Sequence, residues 1–312
     1  MLGSASIELT VNEDGRNWTI VFSGDLGPTS LPIVREFETL RRADVVFIES
    51  TYGDRNHRPY SETVTEFEEL VKQAVEAWGR ILVPTFAGGR AQQMLYHLAI
   101  MFHRELVTPF HVYLEVPWRW RPARRWSSLQ NCSTKNCSSG KVADFCFSTK
   151  PGFIRASRLK TRKPLTMSRA PLILVGAGMS NGGRILHHFR AGLPHENTHV
   201  LIVGYQGNGS LGRRLVERAS SVSIHGEKIA VRANVWTLGG FSAHAGQGDL
   251  LKWFTQLAPS RPRVIITHGE DAPRKSLCAS IQQRFSLTPE LPLQGHVIEV
   301  SRARAACDAL AS

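Results

Sequence analysis

No apolar run in this sequence approaches the ~18–20 residues that a membrane-spanning helix needs, which excludes a helical membrane protein. The first residues, Met1-Leu2-Gly3-Ser4-Ala5-Ser6-Ile7-Glu8, lack a basic stretch followed by an apolar one, the pattern of a secretory signal. Cysteine is scarce: five residues without regular spacing exclude a disulfide framework. A reducing, cytoplasmic setting is therefore expected. What the 312 residues do contain is ordinary for a globular chain, 42% hydrophobic and 21% charged, with length for roughly two domains.

Acidic residues are almost missing from one segment. Between Val116 and Ser168 stand twelve Lys and Arg and a single acid, Asp144, which accounts for +11 of the net charge of +12. Elsewhere the chain is close to neutral, so the charge does not by itself mark the whole protein as a polyanion binder. The same segment holds Trp118, Trp120 and Trp126 together with Cys132, Cys137 and Cys146, and it shows no sustained period. A C-x4-C-x8-C zinc site, a nucleic-acid arm built on Arg and Trp, and a poorly ordered loop are three readings of it.

On either side the pattern is α/β. Short apolar runs bounded by turn residues suit buried parallel strands: Trp18–Phe22, Val45–Ile48, Ile81–Val83, Leu172–Val175, Val200–Val203, Ile229–Val231, Val235–Leu238 and Val264–Thr267. Val64, Phe67, Leu70, Val71, Ala74, Val75 and Trp78 recur at the spacing of one buried helix face. Further helices are expected over Arg90–Phe102, Gly183–Ala191, Leu211–Ala219, Asp249–Leu257 and Arg274–Phe285. Strands alternating with helices predict sheets covered on both faces.

In open α/β sheets chemistry gathers beyond the carboxyl ends of the strands. Asp25, Glu49 and His268 follow three of these strands, and His244 lies in a Gly-rich loop after a fourth. Carboxylates and imidazoles converging there suit a divalent metal that polarises phosphate and acidifies bound water. Taken singly, each has a plainer reading: Asp25 as a turn residue, Glu49 as a helix cap, His268 as a satisfied loop histidine. Arg90, Arg184 and Arg213 sit in Gly-containing turns beside predicted helices, where guanidinium and backbone N–H can meet phosphate; solvated surface charge is the alternative. His187 and His188 read as packing or supporting residues inside a helix.

Several ordered motifs carry a resemblance. Phe22-Ser23-Gly24-Asp25-Leu26-Gly27, Glu49-Ser50-Thr51-Tyr52-Gly53-Asp54-Arg55 and Pro84-Thr85-Phe86-Ala87-Gly88-Gly89-Arg90-Ala91-Gln92 come first. Gly178-Met179 with Gly182-Gly183-Arg184, then Gly204-Tyr205-Gln206 with Gly209-Ser210-Leu211-Gly212-Arg213, follow. Gly240-Phe241-Ser242-Ala243-His244-Ala245 and Thr267-His268-Gly269-Glu270 complete the series. Together they resemble the β-CASP branch of the metallo-β-lactamase superfamily, whose members are RNA-processing nucleases.

The resemblance implies a partial metallo-β-lactamase αββα sandwich interrupted by a doubly wound, Rossmann-like β-CASP domain. Met1–Gly53 and Gly240–Ser312 would form the sandwich remnant, and Asp54–Gly239 the inserted domain. It implies a two-zinc phosphodiesterase acting on RNA. Asp25 would be the bridging carboxylate and His268 the last histidine ligand, while His244 would protonate the leaving oxygen and Glu49 would orient it. Arg90, Gln92, Arg184 and Arg213 would contact RNA. A homodimer, or a heterodimer with another β-CASP chain, is the partner arrangement the resemblance allows.

Two departures shape the expectation. The family's His-x-His-x-Asp-His motif is absent from all 312 residues, and one further ligand histidine would fall just before Met1. Asp25 and His268 remain of the seven implied ligands, so the chain is expected to be N-terminally truncated, without its zinc pair and inactive alone. The alternative is a non-catalytic scaffold or RNA-binding subunit that partners an active nuclease. The second departure follows the strand Phe110–Leu114, where the family's Asp-Ser-Pro-Met-Ala block is replaced by Glu115-Val116-Pro117-Trp118-Arg119. Trp has the single codon TGG, and with the choice CCA-TGG-CGG-TGG-AGG-CC for Pro117–Pro122 a frame one nucleotide earlier reads Met-Ala-Val-Glu-Ala. Val116 to about Ser168 is therefore expected to be translated out of frame.

Overall fold

The computed structural model describes residues 3–13, 15–29, 36–38, 40–86, 88–108, 110–115, 154–156 and 172–300. The zinc, nucleic-acid-arm, loop and frame-shift readings of 116–168, with all three of its cysteines, thus fall outside the described residues, except for the backbone of a short strand at Ile154–Ala156. The chain forms two compact units, one of Met1–Asn56 with Ala243–Ser312 and one of His57–Ser242.

The first unit is built on a four-stranded sheet. Ile7–Glu13 pairs antiparallel with Arg16–Phe22, which runs parallel to Val45–Ile48, which in turn runs parallel to Arg263–Ile266. Val45, Val46 and Ile48 are fully buried, as expected of a central parallel strand whose faces are both covered. The helices Gln247–Thr255 and Asp271–Phe285 supply Leu250, Phe254, Leu277 and Ile281 to the same core. Beyond Arg263–Ile266 a segment at Glu290 closes that edge, with Ile266 N–H donating to the Glu290 carbonyl at 2.9 Å. The opposite edge is Ile7–Glu13, whose Ile7, Leu9 and Val11 are exposed in alternation. The sequence patterning missed this strand because neither of its faces is buried.

The second unit carries a six-stranded parallel sheet in the order Asn234–Thr237, Thr198–Ile202, Arg80–Pro84, Leu172–Val175, Val112–Glu115, Ile154–Ala156. Alternation divides its side chains between two cores. Ile81, Val83, Leu172 and Leu174 meet the helices Tyr60–Glu76 and Arg90–His103 through Phe67, Leu70, Met94 and Leu98. Leu82, Ile173 and Val175 meet Ile185 and Phe189 of helix Ile185–Gly192 on the other face. The run at Ile229 departs from expectation: Glu227–Ala230 pairs only with Ser221–Ile224, as a separate hairpin outside the main sheet. The two residues between those strands, His225 and Gly226, both have positive φ, the turn chemistry that closes tight hairpins.

Candidate functional site

Four loops at the carboxyl end of the first unit's sheet are laced together by backbone. Ser23 N–H donates to the Phe47 carbonyl at 2.8 Å, Thr267 N–H to Ile48 at 2.9 Å, Ser50 N–H to His268 at 3.1 Å and Ala245 N–H to Leu26 at 2.8 Å. Two glycines permit this closeness. Gly24 has φ +59°, and a Cβ there would lie 2.4 Å from the Ala5 carbonyl oxygen; at Gly269 a Cβ would lie 2.4 Å from Ser50 Oγ. His268, between the last strand and Gly269, itself has φ 46°, a left-handed conformation that a non-glycine residue rarely adopts.

These loops bring Asp25, Glu49, His244 and His268 together. Glu49 is the buried member: its Oε1 accepts from Leu26 N–H at 2.6 Å, and its Oε2 accepts from the Thr51 hydroxyl at 2.7 Å. His244 Nδ1 lies 3.1 Å from the same Oε2, so Nδ1–H donates to the carboxylate. His268 Nδ1 stands 3.4 Å from Asp25 Oδ1 and 3.9 Å from Glu49 Oε2. The two imidazole rings are 5.7 Å apart and inclined by 31°. Burial pushes the Glu49 carboxyl up, but His244, His268 and Thr51 outweigh it and hold it at about 2. Glu49 and then Asp25 hold His268 above the usual imidazole range, against the opposing effect of its own partial burial.

Asp25, His244 and His268 each offer one donor atom, and these atoms lie within 4.8 Å of one another. Among the described residues this is the one such group. A structural zinc takes about four ligands, and a catalytic one takes three protein ligands and a water. The trio therefore fits one divalent ion with open positions and does not fit two. Thr51, which steadies Glu49, escaped the sequence reading, although it stands within the Glu49-Ser50-Thr51 motif.

The other predicted residues lie in the second unit. Arg90 and Gln92 are buried. The Arg90 guanidinium donates to Gln93, whose amide donates to the Tyr60 hydroxyl at 3.1 Å, and that hydroxyl lies 2.6 Å from His97 Nε2. Arg184 is half-exposed, and its Nε donates at 2.7 Å to Glu115, a carboxylate buried at the end of Val112–Glu115. His188 Nε2 is 3.0 Å from the same oxygen. Burial raises the Glu115 carboxyl, but His188 and Arg184 together bring it below its ordinary value. Arg213 pairs with Glu217 at 2.6 Å along an exposed helix face.

The fold and the comparisons with known proteins agree on a class. Residues 91–215 match the Beta-Casp domain, and residues 228–292 match the Zn-dependent metallo-hydrolase RNA specificity domain. The chain belongs to the β-CASP family of the metallo-β-lactamase superfamily, a metallo-β-lactamase fold carrying a β-CASP insertion. Among individual proteins it is 37% identical over 293 residues to Ribonuclease TTHA0252 of Thermus thermophilus, covering 92% of this chain and 63% of that one. It is 28% identical to an RNase J-like protein of Methanocaldococcus jannaschii, over 96% of this chain and 69% of the relative. It is 25% identical to the transcription termination factor FttA of Methanothermobacter thermautotrophicus, over 96% of this chain and 48% of the relative. The chain thus spans about half to two thirds of the length of these relatives. No described helix is long and apolar enough to cross a membrane.

Proposed function

We propose that this chain is the RNA-directed portion of a β-CASP phosphodiester hydrolase, and that the 312 residues by themselves do not cut RNA. In this reading the first unit is the metallo-β-lactamase portion and the second is the β-CASP insertion. The observation that carries the proposal is the strand-end face of the first unit, where Asp25, His244 and His268 converge over a buried Glu49. A divalent ion bound there would polarise a phosphate and acidify water. Among the described residues three donors converge here, fewer than the two-ion cage that the family resemblance implies, and this shortfall supports the reading of the isolated chain as silent.

Each residue keeps a defined task. Asp25 and His268 present metal-ligating atoms. Glu49 accepts the Nδ1–H of His244 and so fixes its tautomer, leaving Nε2 as the nitrogen that would hand a proton to a departing oxygen in the complete cage. Of the four residues expected to contact RNA, Arg184 is the best supported: its half-exposed guanidinium is oriented by Glu115 at a strand end, a geometry suited to pairing with phosphate. Arg90 and Gln92, being buried, are better suited to supporting the loop that follows Arg80–Pro84. Arg213, already paired with Glu217, is weaker as a contact.

A non-catalytic RNA-binding subunit is the second reading, favoured by the same shortage of donors. Both readings are tested with a labelled single-stranded RNA, with and without chelator. The expected result is binding that weakens steeply with salt, with the strand left intact. Chelator-sensitive cleavage by the isolated chain would contradict the proposal of silence, and absence of binding at low salt would contradict RNA as the ligand. Arg184→Ala should lower the salt slope by about one phosphate contact, roughly 0.7 for a single strand.

A further inference from the structure

We infer that this chain holds a single divalent metal ion on Asp25, His244 and His268, with His244 joining through Nε2 and Glu49 acting as its positioning residue. The inference rests on the proposed reading of this strand-end face as a metal face, and does not depend on RNA being the substrate.

The three donor atoms lie within 4.8 Å of one another; donors that share one ion at about 2.0–2.2 Å are at most about 4.4 Å apart, so binding draws the three slightly together. Glu49 itself is committed elsewhere. Its two oxygens accept from Leu26 N–H at 2.6 Å and the Thr51 hydroxyl at 2.7 Å, with His244 Nδ1 at 3.1 Å. That arrangement decides the tautomer of His244: Nδ1 carries the proton that Glu49 accepts, so the lone pair is on Nε2. A carboxylate behind a histidine is the usual support of a metal-ligating imidazole, since it fixes the ring and strengthens the donor nitrogen.

Two imidazoles and one carboxylate select the chemistry of the ion. Calcium and magnesium prefer oxygen ligands, whereas zinc, cobalt and ferrous iron accept this mixed set with open positions. The consequence for His244 is concrete. A lone pair donated to a metal cannot also hold a transferable proton, so occupancy of Nε2 removes the imidazole from proton donation. The side chain placed to protonate a leaving group thus becomes a ligand when an ion occupies Nε2, and the metal-loaded face lacks that proton donor.

The test is equilibrium dialysis of the whole 312-residue chain against zinc, with the visible absorption of bound cobalt as a second readout. One ion per chain is expected. Asp25→Asn, His268→Gln and His244→Gln should each weaken binding at least tenfold, with the His244 change also altering the cobalt spectrum. Glu49→Gln should weaken binding about 10–100-fold while keeping the ratio of one. His195→Gln, at an exposed position of the second unit, should change neither. Should His244→Gln unfold, scalar coupling between bound cadmium and the His244 ring nitrogen in the unaltered chain answers the same question, its absence counting against the inference. Two ions per chain, or a His244→Gln variant that binds with unaltered affinity and spectrum, would overturn the inference and leave the metal face standing. A folded chain that takes up no ion would overturn both.

Discussion

Each unit has a buried carboxylate at the end of a strand, and the two have opposite fates. Glu49 follows Val45–Ile48, and Glu115 closes Val112–Glu115; each side chain is 1% exposed and each meets a histidine at 3.0–3.1 Å. Around Glu49, besides the Leu26 N–H and the Thr51 hydroxyl, stand another carboxylate and another imidazole, so donor atoms converge beside it. Glu115 also meets the Arg184 guanidinium, which neutralises the carboxylate directly. An acid at a strand end becomes a site when the residues around it are also ligands, and a strut when they are cations.

That contrast sets the largest expected effect. Glu115→Ala would strand the buried His188 and half-exposed Arg184, and breaking a buried pair on one side costs about 3 kcal/mol or more. Because Arg184 is partly solvated, the lower end of that range is expected in denaturant unfolding of the second unit. A loss no larger than that of a surface substitution would erase the distinction drawn here. Glu49→Ala, by comparison, should act chiefly on metal affinity.

A slightly smaller effect is expected from the second unit's other buried network. Burial holds His97 down to about 4 from 6.5. Its folded value lies below its unfolded one, so the unfolded state binds the extra proton. Stability from this neutral imidazole is therefore complete above pH 6.5 and is lost as pH falls from 6.5 toward 4. At the standard conversion this amounts to about 3 kcal/mol. Thermal melts across that interval should show the decline, and His97→Gln should flatten it; an unchanged slope in the variant would refute the assignment.

The smallest effect belongs to Arg213. An exposed i,i+4 pair with Glu217 contributes about 0.3–0.5 kcal/mol. Arg213→Ala should shift stability by no more than that and leave the salt dependence of RNA binding unchanged, whereas Arg184→Ala should lower it. Equal changes in both variants would merge the two arginines into one class.

Much of this was legible in the chain itself. The runs Val45–Ile48, Leu172–Val175 and Val264–Thr267 lie on strands because their apolar side chains are buried on both faces, which leaves continuous apolar sequence. Asp25, Glu49, His244 and His268 could be grouped because they stand just past strands or in a glycine-rich turn between well-patterned elements. Other features were hidden for physical reasons. Ile7–Glu13 shows a polar residue between each apolar one but buries neither, and the strand expected at Ile229 gave no sign that it pairs in a separate hairpin with Ser221–Ile224. Helix Asp271–Phe285 begins three residues earlier than expected because Pro273 is tolerated in a first turn, where its missing N–H goes unused. Partnership of Arg184 with Glu115 depends on two loops meeting across 69 positions, which no local pattern encodes. The place of Arg90 was equally unreadable, since its guanidinium donates to Gln93, which in turn donates to Tyr60 on another helix.

The most direct test of the metal face is anomalous diffraction from crystals of this chain grown with zinc. One peak per chain is predicted, about 2.0–2.2 Å from Asp25, His244 Nε2 and His268, with Glu49 still bonded to His244 Nδ1. A peak that touches none of these residues, or a pair of peaks with His244 in contact with neither, would contradict the account.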